Sequence, residues 1–173
     1  MGKLFIIGFI GSGKSTYAQE LAARLTMPHI DLDRMIESRH GKTITEIFEK
    51  EGEKAFREIE SVILKEVAAG DDAVISVGGG APCNEVNLNV MKESGRVIYL
   101  KLPRKVLHER LATMIENRET SRPLLTGLSM SDLNSFITRM LRERERWYLQ
   151  ADVVVDPRWV LPETLAREWR SDM

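Results

Sequence analysis

Residues 3–16 read Lys3-Leu4-Phe5-Ile6-Ile7-Gly8-Phe9-Ile10-Gly11-Ser12-Gly13-Lys14-Ser15-Thr16. The run begins as a short apolar segment with one lysine, the pattern of a strand buried on both faces. From Gly8 to Ser15 it fits G-x-x-x-x-G-K-[ST], the phosphate-binding loop pattern. Gly11 and Gly13 let the backbone turn its N–H groups toward phosphate oxygens. The N-terminus of the helix that follows adds partial positive charge. Gly11, Ser12, Gly13, Lys14, Ser15 and Thr16 are therefore the expected nucleotide-phosphate contacts. Lys14 is placed to reach the β- and γ-phosphates, and the Ser15 hydroxyl to bind Mg²⁺.

Outward from this loop, apolar strands alternate with helices. A helix over 15–25 carries Leu21 and Leu25 at i,i+4 spacing. A strand over 29–33 ends in acids. Thr43 and Glu46 have capping-box spacing, so a helix begins near Ile44. Gly52 interrupts it, and a second helix runs to Ala69 with Phe56, Ile59, Ile63 and Val67 on one face. Strands follow over 73–77 and 97–102, with a helix over 84–92 between them. Helices over 103–115 and 132–150, a strand over 152–156 and a helix over 160–170 complete the chain. This alternation predicts a parallel sheet covered on both faces. No repeat or linker divides the 173 residues, so a single domain is expected.

Asp31 and Asp33 flank Leu32 at the expected strand end. Side chains two apart on a strand share a side, so both carboxylates can face the crevice at the carboxyl end of the sheet. One could help hold Mg²⁺ and the other could accept a hydroxyl proton. The alternative is that they cap the helix starting near Arg34. Gly78-Gly79-Gly80 follows the most apolar strand. Close approach of a ligand to the backbone explains three glycines better than a plain turn, which needs only one or two.

In the long helix, Leu133, Phe136, Ile137, Met140 and Leu141 form a stripe. Its continuation lands on Arg144, then on Trp147 or Tyr148. An arginine facing inward needs an anionic partner, either a protein acid or a ligand carboxylate held bidentately. Arg57 borders the apolar face of its own helix, where a solvated arginine is the default, and Glu58 or Glu60 could also pair with it. Arg122 lies in a polar segment, 116–131, read as a mobile lid. It could close over a transferring phosphoryl group, and Arg118 is a rival for that role.

Lys plus Arg total 25 and Asp plus Glu total 26, a net charge of -1. That balance lacks the basic excess of a nucleic-acid binder. No apolar run is long enough for a membrane span, and the short apolar start reads as a strand rather than a signal peptide. The single cysteine, Cys83, forbids an intrachain disulfide and fits a reducing cytosol. His29, His40 and His108 have no metal-ligand spacing.

Together these motifs resemble the shikimate kinase family over nearly the whole chain. The resemblance rests on Gly8 to Thr16, Asp31-Leu32-Asp33, Phe56-Arg57-Glu58-Ile59-Glu60, Val77-Gly78-Gly79-Gly80-Ala81, Arg122-Pro123-Leu124-Leu125, and Arg144 four residues before Tyr148. It implies a three-layer P-loop kinase fold with a five-stranded parallel sheet of order 2-3-1-4-5, a substrate-binding helical region over 34–60 and a lid over 116–131. It implies transfer of the γ-phosphoryl of ATP to the 3-hydroxyl of shikimate, in chorismate and aromatic amino-acid synthesis. Asp33 would bind the ring hydroxyl, Arg57 and Arg144 the carboxylate, and Gly78, Gly79 and Gly80 the substrate through their backbone. Lys14 and Arg122 would stabilise the transition state, with Arg122 also touching ATP, while Ser15 and Asp31 would hold Mg²⁺. The expected partners are ATP and shikimate, with no nucleic acid or membrane, in a cytoplasmic monomer. The competing readings are another small-molecule kinase, such as a gluconate kinase, and a non-catalytic nucleotide-binding module. Three features depart from the family: Glu145-Arg146-Trp147 replaces a segment that often holds proline, the lid is longer, and Asp156 stands where an arginine is common.

Overall fold

The computed structural model describes residues 2–117 and 123–171. Its centre is strand β1 (Lys3–Gly8), every residue of which is buried. The strand pairs in parallel with β3 (Val74–Ser76) on one side and β4 (Gly95–Leu100) on the other. Strand β2 (His29–Asp31) adds to β3, and β5 (Val153–Val155) adds to β4. The all-parallel order is β2-β3-β1-β4-β5, as the resemblance implied.

The period-two alternation of β1 feeds two separate cores. Leu4 and Ile6 pack with Tyr17, Leu21 and Leu25 of α1 (Lys14–Leu25) and with Leu165 of α7 (Pro162–Ser171). Phe5 and Ile7 point to the opposite face. There they join Phe56, Ile63 and Leu64 of α3 (Ile44–Ala69), together with Leu133, Ile137 and Tyr148 of α6 (Met130–Tyr148). Helices α2 (Leu32–His40), α4 (Glu85–Ser94) and α5 (Arg104–Glu116) fill the remaining crossovers. The strand order reverses its direction of growth beside β1, which opens a crevice at the carboxyl ends of the strands.

Local signals set the boundaries. Thr43 and Glu46 close the capping box at the start of α3. Gly52 breaks that helix with φ 85° and ψ 166°, a conformation natural only to glycine. The interruption turns the first part of α3 away from the second and leaves the Phe48 and Phe56 rings in tilted contact, centroids 4.7 Å apart.

Two expectations are corrected. Asp33 is not on a strand. β2 stops at Asp31, whose carboxylate accepts from the Arg34 N–H and caps α2, so Asp33 sits in the first turn of that helix. The capping tendency of aspartate ended the strand two residues early. The segment 116–131 is also not wholly a loop. Glu116 belongs to α5, Met130 opens α6, and Pro123–Leu125 forms a short 3-10 turn whose Leu125 is only 1% exposed. That leucine ties the carboxyl half of the segment to the larger core. Arg118 and Arg122 lie outside the described residues.

Candidate active site

The loop between β1 and α1 is shaped by its glycines. Gly11 and Gly13 have φ of 78° and 88°, and Gly13 caps the helix. A Cβ on Gly8 would lie 2.9 Å from both the Leu100 carbonyl oxygen and Ser12 Oγ. The loop therefore fits between β4 and its own return. Arg110 of α5 donates from Nη1 to the Gly11 carbonyl at 3.2 Å and pins the outer turn. Lys14 is buried and donates to the Phe9 carbonyl at 3.1 Å across the loop. Gly11, Gly13, Lys14, Ser15 and Thr16 line a cradle of about 230 Å³, which Asp31 and Asp33 also border. Ser12 is buried beneath the loop and does not line the cradle with its side chain.

Asp31 is the hinge of the site. Its Oδ2 accepts from Ser15 Oγ at 2.7 Å and from Ser76 Oγ at 3.2 Å. Burial pushes its carboxyl up, but the hydrogen bonds from Ser15, the Arg34 N–H and Ser76, with the nearby His29, hold it below the usual carboxylate range. His29 contacts the same Ser76 hydroxyl at 3.1 Å, a structural role. Ser15 and Asp31 offer two adjacent hard oxygen donors. No group of three or more His, Cys, Asp or Glu able to hold a metal occurs among the described residues. That donor set suits Mg²⁺, which takes one or two protein oxygens and completes its shell with phosphate and water.

A second cleft of about 380 Å³ opens from the same acids. Asp33, Arg57, Gly78, Gly79, Gly80 and Arg144 all line it. Four separate chain segments thus bring the expected acceptor residues to one place. Ile44, Phe48 and Phe56 form an apolar wall, and Pro123 and Leu124 lie at the rim. Packing leaves little room for a side chain along the triple glycine. A Cβ on Gly78 would lie 2.9 Å from Asp33 Oδ1, and one on Gly80 would lie 2.6 Å from the central guanidinium carbon of Arg57.

The two arginines are held differently. Arg57 pairs with Glu60 at 2.8 Å and with Glu53 at 3.3 Å. Burial lowers its pKa, but these carboxylates, Glu60 foremost, outweigh that and raise it. Arg144 replaces an apolar residue in the α6 stripe and is 8% exposed. The position after it in the stripe is Tyr148 rather than Trp147.

Glu60 is the residue that the apolar-stripe reading of α3 undervalued. It is fully buried at the floor of the cleft, and its Oε1 has no hydrogen-bond partner among the described residues. Burial, helped by Asp33, pushes its carboxyl up to about 7 against the pull of Arg57 and Arg144. Its place three residues after Arg57 on the inner helix face was the available signal.

This is the build of a P-loop kinase whose acceptor is a small anion: one end of the crevice cradles phosphates and the other presents arginines. The family model described as shikimate kinase matches residues 10–172. A shikimate kinase of Parabacteroides distasonis is 42% identical over 164 residues, covering 95% of this chain and 92% of that protein. One of Bacteroides thetaiotaomicron is 37% identical, covering 96% of each. The solved shikimate kinase of Acinetobacter baumannii in complex with shikimate superposes with a TM-score of 0.86 at 30% identity, covering 99% of this chain and 92% of that one. The chain belongs to the shikimate kinase family and is an enzyme, an ATP-dependent phosphotransferase.

Proposed function

We propose that this enzyme transfers the γ-phosphoryl of ATP to the 3-hydroxyl of shikimate, and that the residues meeting in the two clefts carry the reaction. The observation that carries the assignment is that Ser15, Asp31 and Asp33 border both clefts. A phosphate in the cradle and a hydroxyl in the second cleft are thus brought to one boundary.

Asp33 orients the 3-hydroxyl and takes its proton as the oxygen forms its bond to the γ-phosphorus. The bond from that phosphorus to the β,γ-bridging oxygen breaks, and ADP leaves. Lys14 and the loop N–H groups stabilise charge on the phosphate oxygens. Ser15 and Asp31 hold Mg²⁺, which when bound neutralises charge on the β- and γ-phosphates. Arg57 and Arg144 hold the shikimate carboxylate, with the Gly78–Gly80 backbone against the ring. Arg122 is assigned the second phosphate-stabilising charge and a contact to ATP. Residues 34–60 supply the apolar wall of the acceptor cleft with Arg57 and Glu60 beside it, and 116–131 act as the lid of a single domain.

No described helix is long and apolar enough to cross a membrane. A monomer acting in the cytoplasm completes this reading, and the lone Cys83 suits a reducing compartment. Coupled ADP release tests the reading. Mg²⁺-dependent release should require shikimate and not respond to gluconate. Equal release with and without shikimate would overturn it.

A further inference from the structure

Tyr148 is a buried hydroxyl that the proposed mechanism does not use. It lies at the end of α6, one turn beyond Arg144 on the same face, and its exposure is 0%. Its ring packs against Tyr99 of β4 with centroids 5.0 Å apart. Its O–H donates to the Gly79 carbonyl at 2.5 Å, a short, strong contact for a hydroxyl donor. The Cys83 thiol is a second, weaker donor to the same oxygen at 3.5 Å.

Gly79 is the middle of the glycine run, and its surroundings are tight. A Cβ there would lie 3.3 Å from the Gly8 carbonyl oxygen, 3.4 Å from Arg144 Nη1 and 3.6 Å from the Ile10 N. The Gly79 backbone is therefore packed between the start of the phosphate loop and the tip of Arg144. Burial pushes the Tyr148 hydroxyl well up, and the Arg144 guanidinium beside it pulls the other way. One phenol thus ties together the glycine run, which has no side chains to hold it, and the helix that carries Arg144.

We propose that Tyr148 is a positioning residue for the acceptor. By holding the Gly79 carbonyl, it fixes the glycine backbone against Arg144 and so sets the width of the carboxylate end of the cleft. The bond reaches the phosphate loop only through the packing of Gly79 against Gly8 and Ile10. The loop itself is shaped by Gly11, Gly13 and Arg110.

The inference rests on shikimate being the acceptor, which turnover by the unsubstituted enzyme tests separately. The test is Tyr148→Phe, which keeps the ring against Tyr99 and removes only the donor. Leaving a buried acceptor under-satisfied should raise KM for shikimate about tenfold. KM for ATP should stay within about twofold, kcat within about threefold, and Tm should fall only a few degrees. Cys83→Ala removes the weaker donor with less risk to folding. It should give the same signature at about two- to threefold in KM for shikimate. A lowered Tm with KM for shikimate unchanged, in either variant, would make the bond merely structural and overturn the proposal. So would an equal rise in both KM values.

Discussion

The two clefts meet at Asp31 but are built in opposite ways. The phosphate cradle is built round one contiguous stretch, Gly11 to Thr16, shaped largely by its own glycines, with Arg110, Asp31 and Asp33 at its edges. The acceptor cleft is gathered from α2, α3, the turn after β3 and α6, even though Arg57 is itself held by Glu53 and Glu60 of its own helix. Tyr148 reaches Gly79 across 69 positions. A local loop can keep its shape whatever happens around it. A gathered cleft is only as well formed as the packing beneath it, so substitutions of residues that also hold that packing should act on acceptor binding and on stability together.

The largest expected effect is at the boundary. Asp33→Asn keeps the shape of the first turn of α2 and removes the proton acceptor, so kcat should fall by about 100-fold or more. Steady-state kinetics with both substrates will show it, with KM for ATP little changed. A near-normal kcat would reduce Asp33 to a helix-turn acid and move the chemistry wholly into the cradle.

Next come the arginines. Arg144→Lys and Arg57→Lys each lose the planar fork that fits a carboxylate. Shikimate affinity should weaken by about 1–3 kcal/mol in each case. The two should differ in stability. Arg57 is the ion-pair partner of buried Glu60, so only its replacement should lower Tm appreciably. Titration and thermal melts on the same preparations separate these outcomes. Equal Tm values for both variants would mean that Glu60 does not depend on Arg57.

The smallest effect is a pH slope. The carboxyl of Glu60 is pushed up to about 7 in the fold, from an ordinary 4.5, chiefly by burial. The folded state then binds more protons than the unfolded chain between those values. Its contribution is present below about 4.5 and is lost as pH rises through about 7. Stability of the ligand-free enzyme should therefore decline across that window, and Glu60→Gln should flatten the decline. Identical pH–stability curves would show that Arg57 keeps Glu60 charged throughout.

The same contrast explains what the sequence revealed. The course of the cradle was legible apart from the burial of the Ser12 side chain, because glycine torsions and a following helix are local requirements. The sheet order followed from the resemblance, and the helix caps at Thr43 and the break at Gly52 from local chemistry. Arg144 was conspicuous as a charge within an apolar stripe. Glu60 entered only as one of two possible partners for Arg57, because nothing local separated it from Glu58 or signalled its burial. Asp33 was assigned to the crevice correctly but to the wrong element, since a strand end and a helix first turn both direct a side chain to the carboxyl edge of the sheet. The bond from Tyr148 to Gly79 left no local trace. It exists only once β3 and α6 are packed.

Shikimate titrated calorimetrically into the nucleotide-free Lys14→Met variant is the most direct test of two independent halves. The account predicts shikimate affinity within about twofold of the unsubstituted enzyme, with ADP formation abolished. Loss of shikimate binding in that variant would contradict it, because the acceptor cleft would then depend on the phosphate loop for its shape.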